Sequence, residues 1–290
     1  RHRHEPEAVS LDLDERQRAM LAEMNIRVWQ PSRAADVEGV TVAAPTVPRT
    51  AVTVSAPESI ASNEQPARDT GTKHSQNRAA VELQPHPPGI DRMDWPALAA
   101  AVADCHACKL CAGRHNTVFG VGQAALAPGQ APHADWLIVG EAPGEKEDLA
   151  GEPFVGQAGK LLDNMLKAIR LDRHTNVFIA NVIKCRPPGN RNPEPAEVAQ
   201  CEPYLRRQIE LLAPKIILAM GRFAVNSLLQ ETVPEVHKLP LGKLRGQVHQ
   251  YRGVPIIATY HPAYLLRNLP DKAKAWADLC LALEVMKQHA

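Results

Sequence analysis

Long apolar runs are missing from this 290-residue chain, and so is any strong excess of charge. No run approaches the roughly 18 apolar residues that a membrane-spanning helix needs, and no secretory signal peptide opens the chain. The formal net charge is +1, so no basic field covers the whole protein and any polyanion must bind at a local patch. We expect a cytoplasmic, monomeric protein without a membrane segment. Because the first residue is Arg1, we also expect a fragment, a processed form or a gene product that lacks its start.

Aromatic residues are scarce as well, and the first 90 residues contain one, Trp29, against nine prolines. Such a segment buries too little apolar surface to offset an ordering cost of about 1–2 kcal/mol per residue for the backbone alone. We expect residues 1–90 to form a largely disordered tail and residues 91–290 to form the folded domain. Apolar residues at helical spacing predict a short helix at residues 11–29, which is either transient or docks on a protein partner.

From residue 91 onward, strand-like apolar runs alternate with helical patterns. The predicted strands are Trp136–Gly140, Val177–Ile183, Lys215–Met220 and Val254–Thr259, with "GQVHQYR" pairing as an antiparallel hairpin turned at Gly253. The predicted helices are Arg92–Asp104, Gly159–Arg170, Pro195–Leu212, Arg222–Leu229 and Asp271–Gln288. This alternation predicts an α/β fold with three αβα layers around a mainly parallel four-stranded sheet.

The chemically conspicuous residues follow the predicted strands. In open α/β sheets, ligands bind beyond the carboxyl ends of the strands. Here "GEAPGEKED", "KCRPPGNRNPEP", "GRFAV" and "YHPAYLLRN" come after the four strands in turn, or continue from their ends. All four segments should therefore share one rim, which predicts a single active site.

Several residues on this rim have both a structural and a functional interpretation. The Gly140–Gly144 loop lacks the Gly-Lys-Ser/Thr element of a P-loop, and its neighbouring acids suit a general base or the stabilisation of a cation. Phe154 is a core residue or a stacking platform for a planar ring. Asn181 is a structural amide or a reader of a base edge. His261 is a turn residue or a hydrogen-bond donor to developing negative charge.

The six cysteines indicate a metal or iron–sulfur site rather than disulfides, given their spacing and the missing export signal. "CHACKLC" contains two overlapping C-x2-C pairs, Cys105 with Cys108 and Cys108 with Cys111. Cys185 and Cys201 form a later pair. Four thiolates could bind either zinc or an iron–sulfur cluster.

Five motifs in order identify a resemblance. Residues 93–288 resemble the family 4 uracil-DNA glycosylases, which carry a [4Fe–4S] cluster. The motifs are "CHACKLC…R…VFGVG", "GEAPGEKEDLAGEPFVGQAG", "NVIKCRPPGNRNPEPAEVAQC", "LGKLRG" and "YHPAYLLRN". The resemblance implies a DNA repair hydrolase that flips uracil out of DNA and cleaves its N-glycosidic bond. It also implies that the cluster is bound by Cys105, Cys108, Cys185 and Cys201, leaving Cys111 as a spare thiol and Cys280 as a core residue.

The resemblance further assigns roles within the site. It implies that uracil is bound by Gly140, Ala142, Glu147, Phe154 and Asn181. Phe154 would stack on the base, Asn181 would read its edge, and Glu147 would crowd the C5 position and exclude thymine. His261 would donate toward uracil O2, and Glu141 would orient a water or stabilise the cationic sugar.

Contacts to DNA should be local. Leu265 or Leu266 is expected to wedge into the gap left by the flipped base. Rim cations are expected near the phosphates, each of them also explicable as a solvated side chain: Lys184, Arg186, Arg191, Lys243, Arg245 and Arg267.

Two rival functions remain open at the level of the sequence. A related class traps uracil-DNA covalently through a histidine on a basic loop, but "LGKLRG" at Leu241–Gly246 has no such histidine. A non-catalytic nucleic-acid binding module is the other, and it predicts no release of uracil.

Overall fold

The computed structural model describes residues 83–122 and 132–288. Most of the predicted tail, including the helix expected at residues 11–29, lies outside this part of the chain. None of the helices in the two described ranges has the length and apolar character needed to cross a membrane.

A six-stranded mixed sheet forms the centre of the domain, in the order β1-β3-β2-β4-β6-β5. Its strands are β1 Val121–Gly122, β2 Trp136–Gly140, β3 Val177–Asn181, β4 Ile216–Met220, β5 Val248–Tyr251 and β6 Val254–Thr259. The four inner strands are parallel, and β1 and β5 are antiparallel edges. The predicted α/β fold, the parallel core and the β5–β6 hairpin are confirmed. The two-residue edge strand β1 is not predicted by the sequence.

Eight α-helices surround the sheet in the described part of the chain. They are α1 Trp95–Ala103, α2 Glu145–Ala150, α3 Gln157–Ala168, α4 Pro195–Leu212, α5 Arg222–Leu229, α6 Leu241–Leu244, α7 Pro262–Leu265 and α8 Asp271–Gln288. The five predicted helices are all present. The helix α1 begins later than expected because the Asp94 side chain accepts the Ala97 N–H at 2.9 Å and Pro96 occupies the first turn.

The two faces of the sheet carry separate apolar cores. Along β2, Leu137 and Val139 point to one core and Trp136 and Ile138 to the other, as the two-residue period of a strand requires. The first core is completed by α4 and α5, and the second by α3 and α8. This arrangement gives the three αβα layers.

The acid-rich stretch after β2 forms the short helix α2, which the sequence does not predict. Glu145, Glu147 and Asp148 all lie in its first turn. Acidic side chains are stabilised there by the positive end of the helix dipole. Glu147 also accepts the Gly144 N–H at 2.5 Å, so it caps the helix that contains it.

Candidate active site

The carboxyl ends of the four parallel strands meet at one edge of the sheet. Gly140, the last residue of β2, pairs in register with Asn181, the last residue of β3. Next to them, Met220 of β4 pairs with Thr259 of β6. A cavity of about 870 Å³ opens at this edge, and its lining includes Glu141, Ala142, Glu147, His261, Tyr264 and Arg267. The structure therefore places five of the charged or histidine residues predicted at the site around one cavity: Glu141, Glu147, Arg191, His261 and Arg267. Other predicted site residues are not part of this lining, among them Phe154, Asn181, Lys243 and Arg245.

Asn181 ends β3 beside Gly140, and its side chain is unpartnered among the described residues. Its side chain is buried, and neither Oδ1 nor Nδ2 has a hydrogen-bond partner within the described chain. Gly140 makes room for this amide, since a Cβ atom at residue 140 would lie 2.4 Å from Asn181 Oδ1. Leaving a buried amide unpaired costs about 1–3 kcal/mol per group, so this residue is suited to a ligand that supplies both a donor and an acceptor.

Phe154 lies at the same point and, like Asn181, is buried. A Cβ atom at Gly140 would lie 2.7 Å from its ring, so the ring and the Asn181 amide are neighbours. The backbone of Phe154 has a positive φ of 57°, and it is held by two charged side chains. Its N–H donates to Glu147 Oε1 at 2.7 Å, and its carbonyl accepts from Arg173 at 3.0 Å. Gly159 permits this turn, because a Cβ there would overlap the Phe154 carbonyl at 1.6 Å.

His261 closes the site above the Phe154 ring. The two rings are stacked, with centroids 5.4 Å apart and planes inclined by 29°. The imidazole caps α7, where Nδ1 accepts the Ala263 N–H at 3.1 Å. Burial, and to a smaller extent the nearby Arg267, lowers the pKa of His261 to about 4. At neutral pH the ring is uncharged, and since Nδ1 is an acceptor, the hydrogen is on Nε2.

Two glutamates of the rim are shifted toward the protonated form. Burial raises the pKa of Glu141 to about 7. Burial also raises the pKa of Glu147, although the N–H groups of Gly144 and Phe154 oppose the shift. Because these two N–H groups both donate to Glu147, its side chain connects the start of α2 to Phe154, and it also borders the cavity. Carboxylates with raised pKa values in a cleft are a recognised feature of catalytic sites.

The predicted DNA wedge needs a correction. Leu265 has no exposed surface and packs in the second core, with α3 and α8. It cannot reach DNA in this conformation. Leu266 is 42% exposed, so a wedge at this point of the chain falls to Leu266.

The cations predicted to contact phosphates fall into two groups, those held by contacts within the protein and those exposed to solvent. Arg245 Nε donates to the fully buried Asp278 at 2.7 Å, and its guanidinium lies 4.5 Å from the centre of the Tyr260 ring. Lys184 is buried. Both are therefore structural. Lys243 is exposed, and Arg267 is exposed where it borders the cavity.

The other two predicted cations already have partners on the protein. Arg191 forms two hydrogen bonds to Glu197, at 2.9 and 2.6 Å. Arg186 donates to Asn190 at 2.8 Å. Both side chains would have to be shared between these partners and a phosphate.

Four thiols line a second, small cavity next to the segment that follows β3. Its lining contains Cys105, Cys108, Cys185 and Cys201 and does not contain Cys111. Among the described residues, no group of three or more histidine, cysteine or acidic side chains is arranged to hold a single metal ion. The four thiols border a shared space instead of converging on one point. Thiolates of a [4Fe–4S] cluster bind separate iron atoms, so this arrangement fits a cluster.

The surroundings of the thiol cavity also fit an anionic group. Burial raises the pKa of Cys185 to about 11 and that of Cys201 to about 12, so without a metal both are neutral thiols. Yet two cationic side chains, Arg114 and Lys184, line the cavity. Arg114 donates to the Cys185 sulfur at 3.4 Å and to the Cys105 carbonyl at 2.6 Å. Thiolates bound to iron would supply the negative charge that these cations lack.

Several residues at the site were not found from the sequence. Tyr260 and Tyr264 are stacked at 4.9 Å on the cavity wall, and Tyr264 donates to Asp271 at 2.6 Å. The sequence could have indicated both tyrosines, because they lie close to His261 in "YHPAY". Lys184 was assigned to the surface, because no sequence pattern distinguishes a buried lysine from an exposed one.

Comparison with known proteins agrees with this architecture. A sequence model described as the Uracil DNA glycosylase superfamily matches residues 128–280. The chain is 40% identical over 185 residues to a type-4 uracil-DNA glycosylase of Saccharolobus solfataricus, covering 62% of this chain and 80% of that protein. It is 43% identical over 169 residues to that of Sulfurisphaera tokodaii (58% and 73%). The match to that of Pyrobaculum aerophilum is 39% over 193 residues (65% and 93%).

These matches and the fold define the class as an α/β protein of the uracil-DNA glycosylase superfamily. Within that superfamily, the chain belongs to the type-4 uracil-DNA glycosylases.

Proposed function

We propose that this chain excises uracil from DNA by hydrolysing the N-glycosidic bond of a nucleotide rotated out of the stack, leaving an abasic site. Family membership supports the reaction. The observation that carries the site assignment is the unpartnered Asn181 amide beside the Phe154 ring. A buried donor and acceptor next to a planar apolar surface is what recognition of a single base requires.

Uracil offers a complementary edge to Asn181. Its O4 accepts a hydrogen bond and its N3–H donates one, which matches the Nδ2 and Oδ1 atoms of the amide. Cytosine presents the reverse pattern, so it would be accepted only if the amide turned over. Rejection of cytosine therefore depends on a fixed Asn181, and the tight space at Gly140 restricts that residue.

Glu147 is proposed to exclude thymine. Its two oxygens are held by the N–H groups of Gly144 and Phe154, so the side chain cannot easily move away. A side chain fixed beside the base at C5 would clash with the methyl group of thymine. The same hydrogen bonds fix the turn at Phe154, on which the base would stack.

The chemical step is proposed to be dissociative. As the C1′–N1 bond stretches, negative charge develops on uracil and positive charge on the sugar. The neutral imidazole of His261 would donate its Nε2–H toward uracil O2, with backbone N–H groups of the Gly140–Gly144 loop, including that of Ala142, as further donors. Glu141, when ionised, would stabilise the sugar cation or orient the attacking water.

The four thiols Cys105, Cys108, Cys185 and Cys201 are proposed to hold a [4Fe–4S] cluster. When bound, the cluster would cross-link α4, the segment after β3 and the segment after α1; hydrolysis of a glycosidic bond transfers no electrons. Cys185 lies four residues beyond Asn181, so the cross-link would fix the strand end that reads the base.

DNA would approach along the open side of the cavity. Exposed Leu266 is proposed to fill the gap left by the rotated nucleotide, and Arg267 and Lys243 to contact flanking phosphates. The monomeric state, the cytoplasmic location and a partner for residues 11–29 stay predictions from the sequence.

The direct test is incubation with a uracil-containing oligonucleotide, followed by alkaline cleavage at abasic sites. We expect cleavage for the wild type and strong loss for His261→Ala and Asn181→Ala. A binding module would give equal affinity for normal and uracil-containing DNA and no free uracil. A covalent trap would leave a DNA–protein adduct that survives SDS.

A further inference from the structure

The side chain of Lys184 lies between the thiol cavity and the base-reading strand. It is 1% exposed, although lysine is among the residues least often buried. Its Nζ donates to the Asn181 carbonyl at 2.9 Å and to Gln208 Oε1 at 2.6 Å. Gln208 in turn donates to the Phe119 carbonyl at 3.0 Å, which joins this group to the segment before β1.

Both hydrogen-bond acceptors of this ammonium group are uncharged oxygens. A buried cation without an anionic partner is costly, so the fold must supply compensation elsewhere. Burial lowers the pKa of Lys184 to about 7, and the Cys201 and Cys185 thiols, which line the same cavity as Lys184, oppose that shift. The backbone of Lys184 also hydrogen-bonds the Cys201 thiol. Lys184 thus borders the cavity of the predicted cluster ligands, contacts Cys201 through its backbone and contacts Asn181 through its Nζ.

A second cation contacts the same cavity, since Arg114 donates to the Cys185 sulfur at 3.4 Å. A [4Fe–4S]²⁺ core bound by four thiolates carries a net charge of about −2. That negative charge would favour the protonated form of Lys184, and the two basic side chains that line the cavity would then offset it. Within the described part of the chain, the hydrogen bonds of Arg114 go to the Cys185 sulfur and to the carbonyls of Cys105 and Ala103. Of the two cations, Lys184 is the one that also reaches the base-reading residue.

We propose that Lys184 is a positioning residue that neutralises the bound cluster and fixes the carbonyl of Asn181, so that loading of the cluster aligns the amide that reads uracil. The proposal rests on the proposed function in its assignment of Asn181 and of the four thiols. The cluster would be linked to base recognition by one buried side chain, because the Lys184 Nζ has hydrogen-bond acceptors on both β3 and α4.

The test uses the full-length, iron-loaded protein and three variants. Lys184→Met removes the charge at nearly constant length. Gln208→Glu keeps the shape of the side chain and gives the Lys184 ammonium group a competing anionic partner. It replaces Lys184→Met as the test variant if Lys184→Met folds poorly. Lys167→Met makes the same change on an exposed lysine of α3 and is the control. The midpoint reduction potential of the cluster and the iron retained in air are measured without DNA, and uracil release is measured separately.

We expect the potential to become more negative in Lys184→Met and in Gln208→Glu, because each change removes positive charge or adds negative charge beside the cluster. A tenfold change in the reduction equilibrium is about 59 mV for one electron. Iron retention should fall several-fold in both variants. Lys167→Met should match the wild type. A residue that only fills space would alter stability without shifting the potential.

The outcomes separate this proposal from the proposed function. Unchanged potentials and unchanged iron retention in both variants would overturn the role of Lys184, whether or not the wild type releases uracil. A wild type that releases uracil but binds no cluster would also overturn it, and the glycosylase function would stand. If the potential shifts while uracil release by Lys184→Met stays at the wild-type rate, the link to Asn181 is wrong.

Discussion

The imidazole of His261 lies face to face with the ring of Phe154, with ring centroids 5.4 Å apart. Phe154 is only 3% exposed and is part of the second core. A base inserted between two planar groups needs about 7 Å between them, because each stacked contact takes roughly 3.5 Å. Uracil can therefore stack on Phe154 only if the two rings separate or the base enters from the side of Asn181.

His261→Ala should separate binding from chemistry. Removing the imidazole uncovers the Phe154 ring, so free uracil should bind at least as tightly as it does to the wild type. The rate of uracil release should fall about 10²- to 10³-fold, the usual effect of losing one donor to a developing anion. Calorimetry with uracil and single-turnover kinetics with DNA measure the two effects. A variant that keeps the wild-type rate would exclude His261 from the reaction.

Asn181→Ala should remove recognition of the base. Two hydrogen bonds to uracil would be lost, together worth roughly 2–4 kcal/mol, which corresponds to about a 30- to 1,000-fold lower kcat/KM. The control is Asn164→Ala, the same change at an exposed position of α3. Melting temperatures identify any general loss of stability. Equal activity of the two variants would contradict the role of Asn181.

Glu141 should produce a pH dependence near neutrality. Burial raises the pKa of Glu141 to about 7, so the carboxylate is ionised above that pH and neutral below it. Only the ionised form stabilises a cationic sugar, so kcat/KM should fall about tenfold per pH unit below pH 7. Glu141→Gln should be slower and lose this slope. A profile of the same shape in Glu141→Gln would assign the titration to another group. His261, whose pKa is lowered to about 4, stays neutral across the same range.

The cysteines allow a matched comparison. Cys105→Ala should lose the absorbance at about 400 nm and the bound iron, because the Cys105 thiol lines the four-thiol cavity. Cys111→Ala, six residues further along the same segment, should keep both, since Cys111 is not part of that lining. Iron analysis of anaerobically purified protein measures the difference. Equal loss in both variants would mean that Cys111 is a ligand, and zinc in place of iron would rule out a cluster.

Much of the fold could be predicted because the parallel strands are buried on both faces. Trp136–Gly140 and Val254–Thr259 form continuous apolar runs, and their bounds match β2 and β6. Because Asn181 and His261 come at or just after the carboxyl ends of predicted strands, the sequence was enough to predict that both lie at one edge of the sheet. Short elements were missed. A two-residue strand has no periodicity, and α2 depends on the capping contact of Glu147, which composition does not reveal.

The errors at the site concern burial and long-range pairing. Leu265 and Leu266 are adjacent, and which of them faces the core depends on the rotation of a one-turn helix that is too short to show a pattern. Arg245 was expected at a phosphate, but its partner Asp278 is 33 residues away in α8. Such a pair is visible only once the helix has packed on the sheet.

The most direct test is a crystal structure of His261→Ala bound to uracil-containing DNA. We expect the uracil outside the helix, stacked on Phe154, with O4 and N3 within hydrogen-bond distance of the Asn181 side chain, and Leu266 in the gap of the duplex. A uracil that remains stacked in the DNA, or one bound away from Phe154 and Asn181, would contradict the proposed site.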